Sequence, residues 1–258
     1  MIYFPNCKIN LGLHVIGKRA DGYHDLETIF LPVHELHDKL EITEKVGGEC
    51  TMVQEGITLD NVPDDNLCMK AWSLLHREHG IPAVNILLKK NIPFGAGLGG
   101  GSADAAFTLK MLNEMFSLGL STDMLERYAA QLGADCAFFI RNTAAYATGI
   151  GDHLKPIEVD ISKYTIMIEI PEGEHVSTKE AYSGLRRDLF GTNRPDLRKV
   201  IKEPVSQWRN MIVNDFETSV FPQHPAIAAL KEDMYRRGAV YASMTGSGAA
   251  VYGLFKKQ

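Results

Sequence analysis

The sequence predicts an α+β fold, and three observations carry that expectation. Period-two alternation of apolar residues crowds into the early part of the chain. Capped helical patterns then follow at irregular intervals rather than in a regular βαβ array. Two short apolar runs separated by Gly246-Ser247-Gly248 close the chain.

Residues 6–16 alternate through Ile9, Leu11, Leu13 and Val15, a half-buried strand with Lys8, Asn10 and His14 on its other face. A polar connection with the turn signal Asp21-Gly22 follows, then strands at Thr28–Val33 and Lys39–Thr43. Gly47-Gly48 turn the chain into a strand at Cys50–Gln54. Asp64, Asp65 or Asn66 caps a helix running to about Glu78, with Leu67, Ala71, Leu74 and Leu75 as its apolar stripe. Val84–Leu88 reads as a strand, and after Ser102 the residues Ala105, Leu109, Leu112 and Phe116 share one helical face. Ser121 caps a shorter helix that Gly133 ends. Ala137–Ile140 and Ala144–Thr148 read as short strands. The turn-rich segment GIGDHLKPIE is the candidate boundary between a domain of residues 1–152 and one of residues 153–258.

The second part opens on a strand at Tyr164–Ile170. Ser177 and Glu180 form a capping box for a helix through Leu185. Leu189–Pro195 reads as a loop. Helical patterns near 196–213 and 225–237, the latter with Pro225 in its first turn, precede the final strand pair.

Composition narrows the classes of function. Lys and Arg total 27 against 32 for Asp and Glu, a formal charge of −5. That balance argues against a broad surface for nucleic acid or anionic membrane. No apolar run reaches the ~18 residues of a membrane-spanning helix. Nothing at the start resembles a targeting peptide, and the four cysteines are scattered without a C-x-x-C pair, so a reduced, cytoplasmic protein is expected.

The chemistry centres on Lys90–Phe116, where five glycines lie between Gly95 and Gly101 ahead of Ser102 and an alanine-rich helical run. Glycine lets backbone N–H groups approach an anion closely. A helix opening at that point adds unpaired first-turn N–H groups and the positive end of its dipole. Phosphate is the ligand such a loop suits. Gly95, Gly97 and Gly100 formally satisfy G-x-G-x-x-G, yet the acidic residue a dinucleotide fold needs would fall on Glu114, inside the helix. A Walker A loop requires Lys where this loop has Ser102, and the protein-kinase catalytic loop is absent.

Other groups acquire meaning only together. Asp135 follows a helix-ending glycine and, considered alone, reads as an ordinary turn aspartate. Lys8 alone reads as a solvated strand lysine. Adjacent Tyr23 and His24 in a polar loop offer an aromatic face and hydrogen-bonding edges suited to a planar base.

The segment PFGAGLGGGSADAA, with PNCKINL, DGYHDLET, GADCAFF and MTGSGAAVYGLF in that chain-wide set, resembles the motifs of the GHMP kinases. Cys7, Ala103 and Cys136-Ala137 are small departures that remove no reactive group. The resemblance implies a two-domain fold: an N-terminal ribosomal-S5-like domain and a smaller C-terminal α/β domain, with the active site between them. It implies that Pro93, Gly95, Ala96, Gly97, Leu98, Gly99, Gly100, Gly101 and Ser102 bind ATP. It makes Asp135 the catalytic base, with Lys8 beside it lowering its pKa or stabilising charge on the transferring group. Asn10 would orient the accepting hydroxyl. Tyr23 and His24 would take the cytidine end of the substrate, with Phe30 and Tyr182 as aromatic neighbours and Thr178 near the substrate.

The reaction so implied is transfer of the γ-phosphoryl of ATP to the 2-hydroxyl of 4-diphosphocytidyl-2-C-methyl-D-erythritol. Mg²⁺ would arrive with the nucleotide rather than in a cage of protein ligands. A homoserine- or mevalonate-type kinase, and a non-catalytic sensor of nucleotide or sugar on the same fold, are the alternatives. No nucleic-acid or membrane partner is expected.

Overall fold

The computed structural model of the protein describes residues 1–57, 66–185, 190 and 194–257. Its contacts divide the chain into two compact units. The first comprises Met1–Lys8, Pro32–Phe94 and Gly99–Thr143; the second comprises Ile9–Leu31, Gly95–Leu98 and Ala144–Gln258. The second unit thus draws on residues from both sides of position 152.

The first unit is built on β1 (Ile2–Tyr3), β4 (Lys39–Glu44), β5 (Thr51–Gly56) and β6 (Val84–Lys90), which form a sheet in the order β1-β4-β6-β5. β4 runs antiparallel to β6, and β5 runs parallel to it. In β6 the residues Val84, Ile86, Leu88 and Lys90 are buried in strict alternation. Helices α1 (Leu67–His79), α2 (Gly100–Met115), α3 (Thr122–Leu132) and α4 (Cys136–Arg141) pack together in this unit. Asn66 caps α1 by accepting the Cys68 N–H at 2.9 Å, and Gly80 ends it at φ 65°. Asp64 and Asp65 lie outside the described residues. Ser121 caps α3 as expected.

One element differs in kind. Residues 137–140, expected as a strand, are helical within α4. Cys136–Ile140 are all buried, so the run carries no period-two signal, and a short apolar run fits a buried helix as well as a strand.

The long strands β2 (Asn6–Lys18) and β3 (His24–His37) begin or end in the first unit, with Ile9–Leu31 counted in the second. There they form a sheet with β7 (Ala145–Thr148) and β8 (His153–Pro156) in the order β2-β3-β7-β8. The candidate boundary GIGDHLKPIE is instead the turn and second strand of the β7–β8 hairpin, with Thr148 opposite His153 and Gly149 at φ 68°.

A second sheet of this unit, β10-β11-β9, joins β9 (Tyr164–Glu169), β10 (Tyr241–Met244) and β11 (Val251–Lys256) in antiparallel register. Helix α8 (Pro225–Arg236) packs on it. The core here gathers Val176, Ala181, Phe216, Ile227, Met234 and Met244 with Leu13 and Val15. Ser177 caps α5 (Thr178–Ser183), which ends two residues before the expected Leu185. The helical pattern near 196–213 resolves into α6 (Leu197–Val200) and a 3₁₀ turn at Val205–Asn210, and α7 (Glu217–Val220) was not anticipated. The expected loop 189–195 falls largely outside the described residues.

Candidate active site

The glycine loop owes its shape to alternation. Gly95, Gly97 and Gly99 have φ of 67°, 76° and 74°, while Ala96 and Leu98 keep ordinary backbone and are buried. Alternating backbone sign turns successive N–H groups toward one side, the form of an anion nest. Gly99 is the N-cap of α2, and the first helical bond runs from the Ala103 N–H to the Gly99 carbonyl at 2.9 Å. The N–H groups of Gly100, Gly101 and Ser102 precede that bond and lack intrahelical acceptors.

Close approach adds to the case for Gly99 and explains Gly100, but not Gly101. A Cβ at Gly99 would lie 3.1 Å from the Phe139 ring and 3.2 Å from the Lys8 stem. One at Gly100 would lie 2.8 Å from Ile92, whereas at Gly101 the nearest atom is 3.9 Å away, on Leu67.

Within the first unit, Lys8 and Asp135 meet. The Lys8 side chain is buried in β2, and its Nζ lies 3.5 Å from Asp135 Oδ2. Asp135 stands at the N-cap position of α4, yet its side chain makes no capping hydrogen bond. The carboxylate is therefore not committed to the helix, and at 33% side-chain exposure it is open to a ligand. Lys8 is charge supplied from a buried strand position, and Asp135 is an acceptor at a reachable one.

The same unit holds a buried ion cluster that was not expected from the sequence. Lys90, the last residue of β6, bonds Asp38 and, at 2.7 Å, Oδ2 of Asp104, the fifth residue of α2. Asp38 Oδ1 also accepts the Asn91 and Ile92 N–H groups at 2.6 and 2.8 Å. The cluster thus ties the strand entering the glycine loop to the helix leaving it. Burial raises the Asp104 carboxyl well above the carboxylate range against the pull of Lys90, with Asp38 raising it further. The alternation of β6 placed Lys90 on the buried face, which is the signal that could have found it.

In the second unit Asn10 is buried and its amide is oriented by neighbours. Asn10 Nδ2 donates to Thr28 Oγ1 at 2.9 Å, and Thr28 donates to the Gly12 carbonyl at 2.5 Å. His24 stacks on Tyr182 with centroids 4.6 Å apart and planes 22° apart, and Phe190 meets His24 edge-on at 5.9 Å. Burial, then the Lys18 charge, lowers the His24 pKa, favouring a neutral ring that can both donate and accept.

His24, Tyr182 and Phe190 line a cavity of about 250 Å³ with Lys18, Lys179 and Ser183. That is smaller than the ~300–1,000 Å³ of whole drug-sized sites and suits part of a ligand. Tyr23 is not among its lining residues, and its side chain is 62% exposed. Phe30 is buried in β3 opposite Ala145. Thr178 opens α5, its hydroxyl 3.4 Å from that of Ser247. Lys18, Lys179 and Phe190 were not singled out from the sequence.

Comparison with known proteins places the chain in a family. The family described as GHMP kinases N terminal domain matches residues 66–143, and GHMP kinases C terminal matches residues 193–258. A 4-diphosphocytidyl-2-C-methyl-D-erythritol kinase of Azobacteroides pseudotrichonymphae is 50% identical over 257 residues, covering 100% of this chain and 94% of that protein. One from Bacteroides thetaiotaomicron is 50% identical over 262 residues, covering 100% and 93%. A crystal structure of 4-(cytidine 5'-diphospho)-2C-methyl-D-erythritol kinase superposes with a TM-score of 0.83 at 32% identity, over 98% of this chain and 90% of that one. The chain has the two-domain GHMP kinase fold and belongs to the GHMP kinases, among the 4-diphosphocytidyl-2-C-methyl-D-erythritol kinases.

Proposed function

We propose that this protein transfers the γ-phosphoryl of ATP to the 2-hydroxyl of 4-diphosphocytidyl-2-C-methyl-D-erythritol, a step in non-mevalonate isoprenoid precursor synthesis. The observation that carries the reading is the pairing of Lys8 with Asp135, whose carboxylate the α4 cap leaves uncommitted. Asp135 takes the hydroxyl proton as the hydroxyl oxygen bonds to the γ-phosphorus. The bond from that phosphorus to the bridging oxygen breaks, and ADP departs with the electron pair. Lys8 offsets negative charge at the reacting oxygens, and Asn10, on the same face of β2 two residues along, orients the hydroxyl.

The glycine loop holds the nucleotide phosphates by backbone N–H groups. Phosphoryl transfer has a loose transition state, so positioning contributes alongside proton removal. The hydroxyl of Ser102 and the carboxylate of Asp135 are hard oxygen donors of the type Mg²⁺ prefers. Among the described residues no group of three His, Cys, Asp or Glu could cage a metal. Mg²⁺ would accompany ATP, where it would neutralise phosphate charge. His24 and Tyr182, with Lys18 and Lys179 at the same cavity, suit the cytosine ring and its anionic attachment.

The testing experiment is a coupled kinase assay on the diphosphocytidyl substrate, with the product identified by mass and homoserine and mevalonate run in parallel. A product heavier by one phosphoryl group, formed from the cytidine substrate alone, is expected. Preference for homoserine or mevalonate would reassign the substrate, and absence of ATP turnover would reduce the protein to a binding module.

A further inference from the structure

Thr245 lies in the turn after β10, and three polar groups converge on its hydroxyl. The Asn10 N–H donates to Thr245 Oγ1 at 3.0 Å. Asn10 Oδ1 and the Gly97 carbonyl stand 3.2 and 3.3 Å from the same oxygen. A hydroxyl has one proton, so both carbonyl-type oxygens share a single donor. Thr28 already donates to the Gly12 carbonyl and can only accept from Asn10. The amide nitrogen of Asn10 must therefore face Thr28, and its oxygen must face Thr245.

The glycine loop meets the same turn through backbone. A Cβ at Gly97 would lie 2.1 Å from the Thr245 carbonyl oxygen, and one at Gly246 would lie 2.9 Å from the Gly97 Cα. Asn214 holds the far side of the turn, donating to the Met244 and Gly246 carbonyls at 2.8 and 2.9 Å. Thr245 is fully buried, and its own N–H is bonded to the Ala250 carbonyl at 2.9 Å. Its side chain is thus a fixed post with Asn10 on one side and the loop at Gly97 on the other.

We propose that Thr245 is a positioning residue for phosphoryl transfer, its hydroxyl holding the Asn10 amide and the Gly97 segment of the glycine loop in a common register. The inference rests on the reading of Asn10 as the group that orients the accepting hydroxyl and of the loop as the ATP cradle. Register between donor and acceptor affects the chemical step more than the binding of either ligand. A Val side chain matches Thr in shape but lacks the donor and acceptor, whereas Ser keeps both and loses only a methyl group.

The test measures kcat, both KM values and circular dichroism melting for Thr245→Val, Thr245→Ser, Asn10→Ala and the Asn10→Ala/Thr245→Val double variant. In Thr245→Val, kcat should fall by about ten- to 100-fold, the loss expected when a buried hydrogen-bonded group is left unpaired. Both KM values should hold within about threefold, since neither ligand loses a direct contact. Thr245→Ser should recover most of the rate, and the double variant should be little slower than the slower single. Wild-type kcat in Thr245→Val beside an impaired Asn10→Ala would overturn this inference alone. Equal losses in the Val and Ser variants would also overturn it, since those would report packing. Wild-type kcat in Asn10→Ala would sink the role assigned to Asn10, and the inference with it.

Discussion

The two compact units hold their functional groups by different means. In the first, charge is held against charge: buried Lys8 faces the partly exposed Asp135, and Lys90 is buried with Asp38 and Asp104. In the second, Asn10, Thr28 and Thr245 are neutral and held by mutual and backbone hydrogen bonds. A buried ion that loses its partner retains an uncompensated desolvation cost, whereas a neutral group loses about one hydrogen bond. At these groups the first unit should therefore respond to single substitutions more steeply than the second.

The largest effect tests the exposed member of the charged set. Asp135→Asn keeps shape and hydrogen bonding but cannot take up the hydroxyl proton, so kcat should fall by about 10²–10⁴-fold. Lys8→Ala should lower kcat as well, and the double variant should be little worse than the poorer single because the two act as a unit. Steady-state kinetics on proteins shown folded by circular dichroism would decide. Near wild-type kcat in Asp135→Ala would remove Asp135 from the mechanism.

Next comes the buried cluster, where the two carboxylates should behave differently. Asp38→Asn weakens the charge opposite Lys90 and disturbs the acceptor of two backbone N–H groups. It should cost about 3–5 kcal/mol in urea denaturation, the range for breaking a buried pair. Asp104 has its folded pKa raised above the unfolded value, so the folded state binds the extra proton. Its charge therefore opposes folding increasingly as pH rises from the unfolded carboxylate range toward the raised value. Asp104→Asn resembles the protonated acid and should be neutral or stabilising at pH 8. Equal destabilisation by both substitutions would break this distinction.

Two histidines sharpen the comparison within the second unit. His14 is 1% exposed, neither ring nitrogen has a hydrogen-bond partner among the described residues (Glu27 Oε2 lies 4.0 Å from Nδ1), and burial followed by the Arg194 charge lowers its pKa to about 4. The unfolded chain takes up that proton near pH 6.5 and the folded one does not. His14 should therefore cost stability as pH falls from about 6.5 toward 4, by about 3 kcal/mol in all. His224 is the opposite case: hydrogen bonds to Glu174 and Glu180, at 2.6 and 3.0 Å, raise its pKa. Its contribution is present below the unfolded value and lost as pH rises through the folded one. Urea titrations of His14→Gln and His224→Gln from pH 5 to 8 should flatten opposite limbs. Parallel profiles would sink the assignment.

The smallest effect concerns the base cavity. His24→Ala should weaken the cytidine substrate by roughly five- to 150-fold, the ~1–3 kcal/mol of stacking plus one hydrogen bond. ATP affinity should stay nearly unchanged. Equal loss for both ligands, read from the two KM values, would mean that His24 supports the fold instead.

The sequence by itself determined the elements whose signals are local. The alternation of β6, the caps at Ser121 and Ser177, and Pro225 at the start of α8 each follow from residues within a turn or two, whereas β2, expected to be half-buried, is buried on both faces from Asn6 to Val15. The glycine spacing, too, predicts a loop of left-handed glycines, because only glycine adopts those dihedrals without strain. Tertiary structure decided what depends on distant residues. Whether Cys136–Ile140 coils or extends depends on the helices it packs against, since a fully buried run carries no period. That Lys8 meets Asp135, that Lys90 gathers Asp38 and Asp104, and that Thr245 reaches Asn10 are pairings across long stretches of chain. No local pattern encodes such pairings, because a charge or hydroxyl reads as solvated until the fold removes it from water.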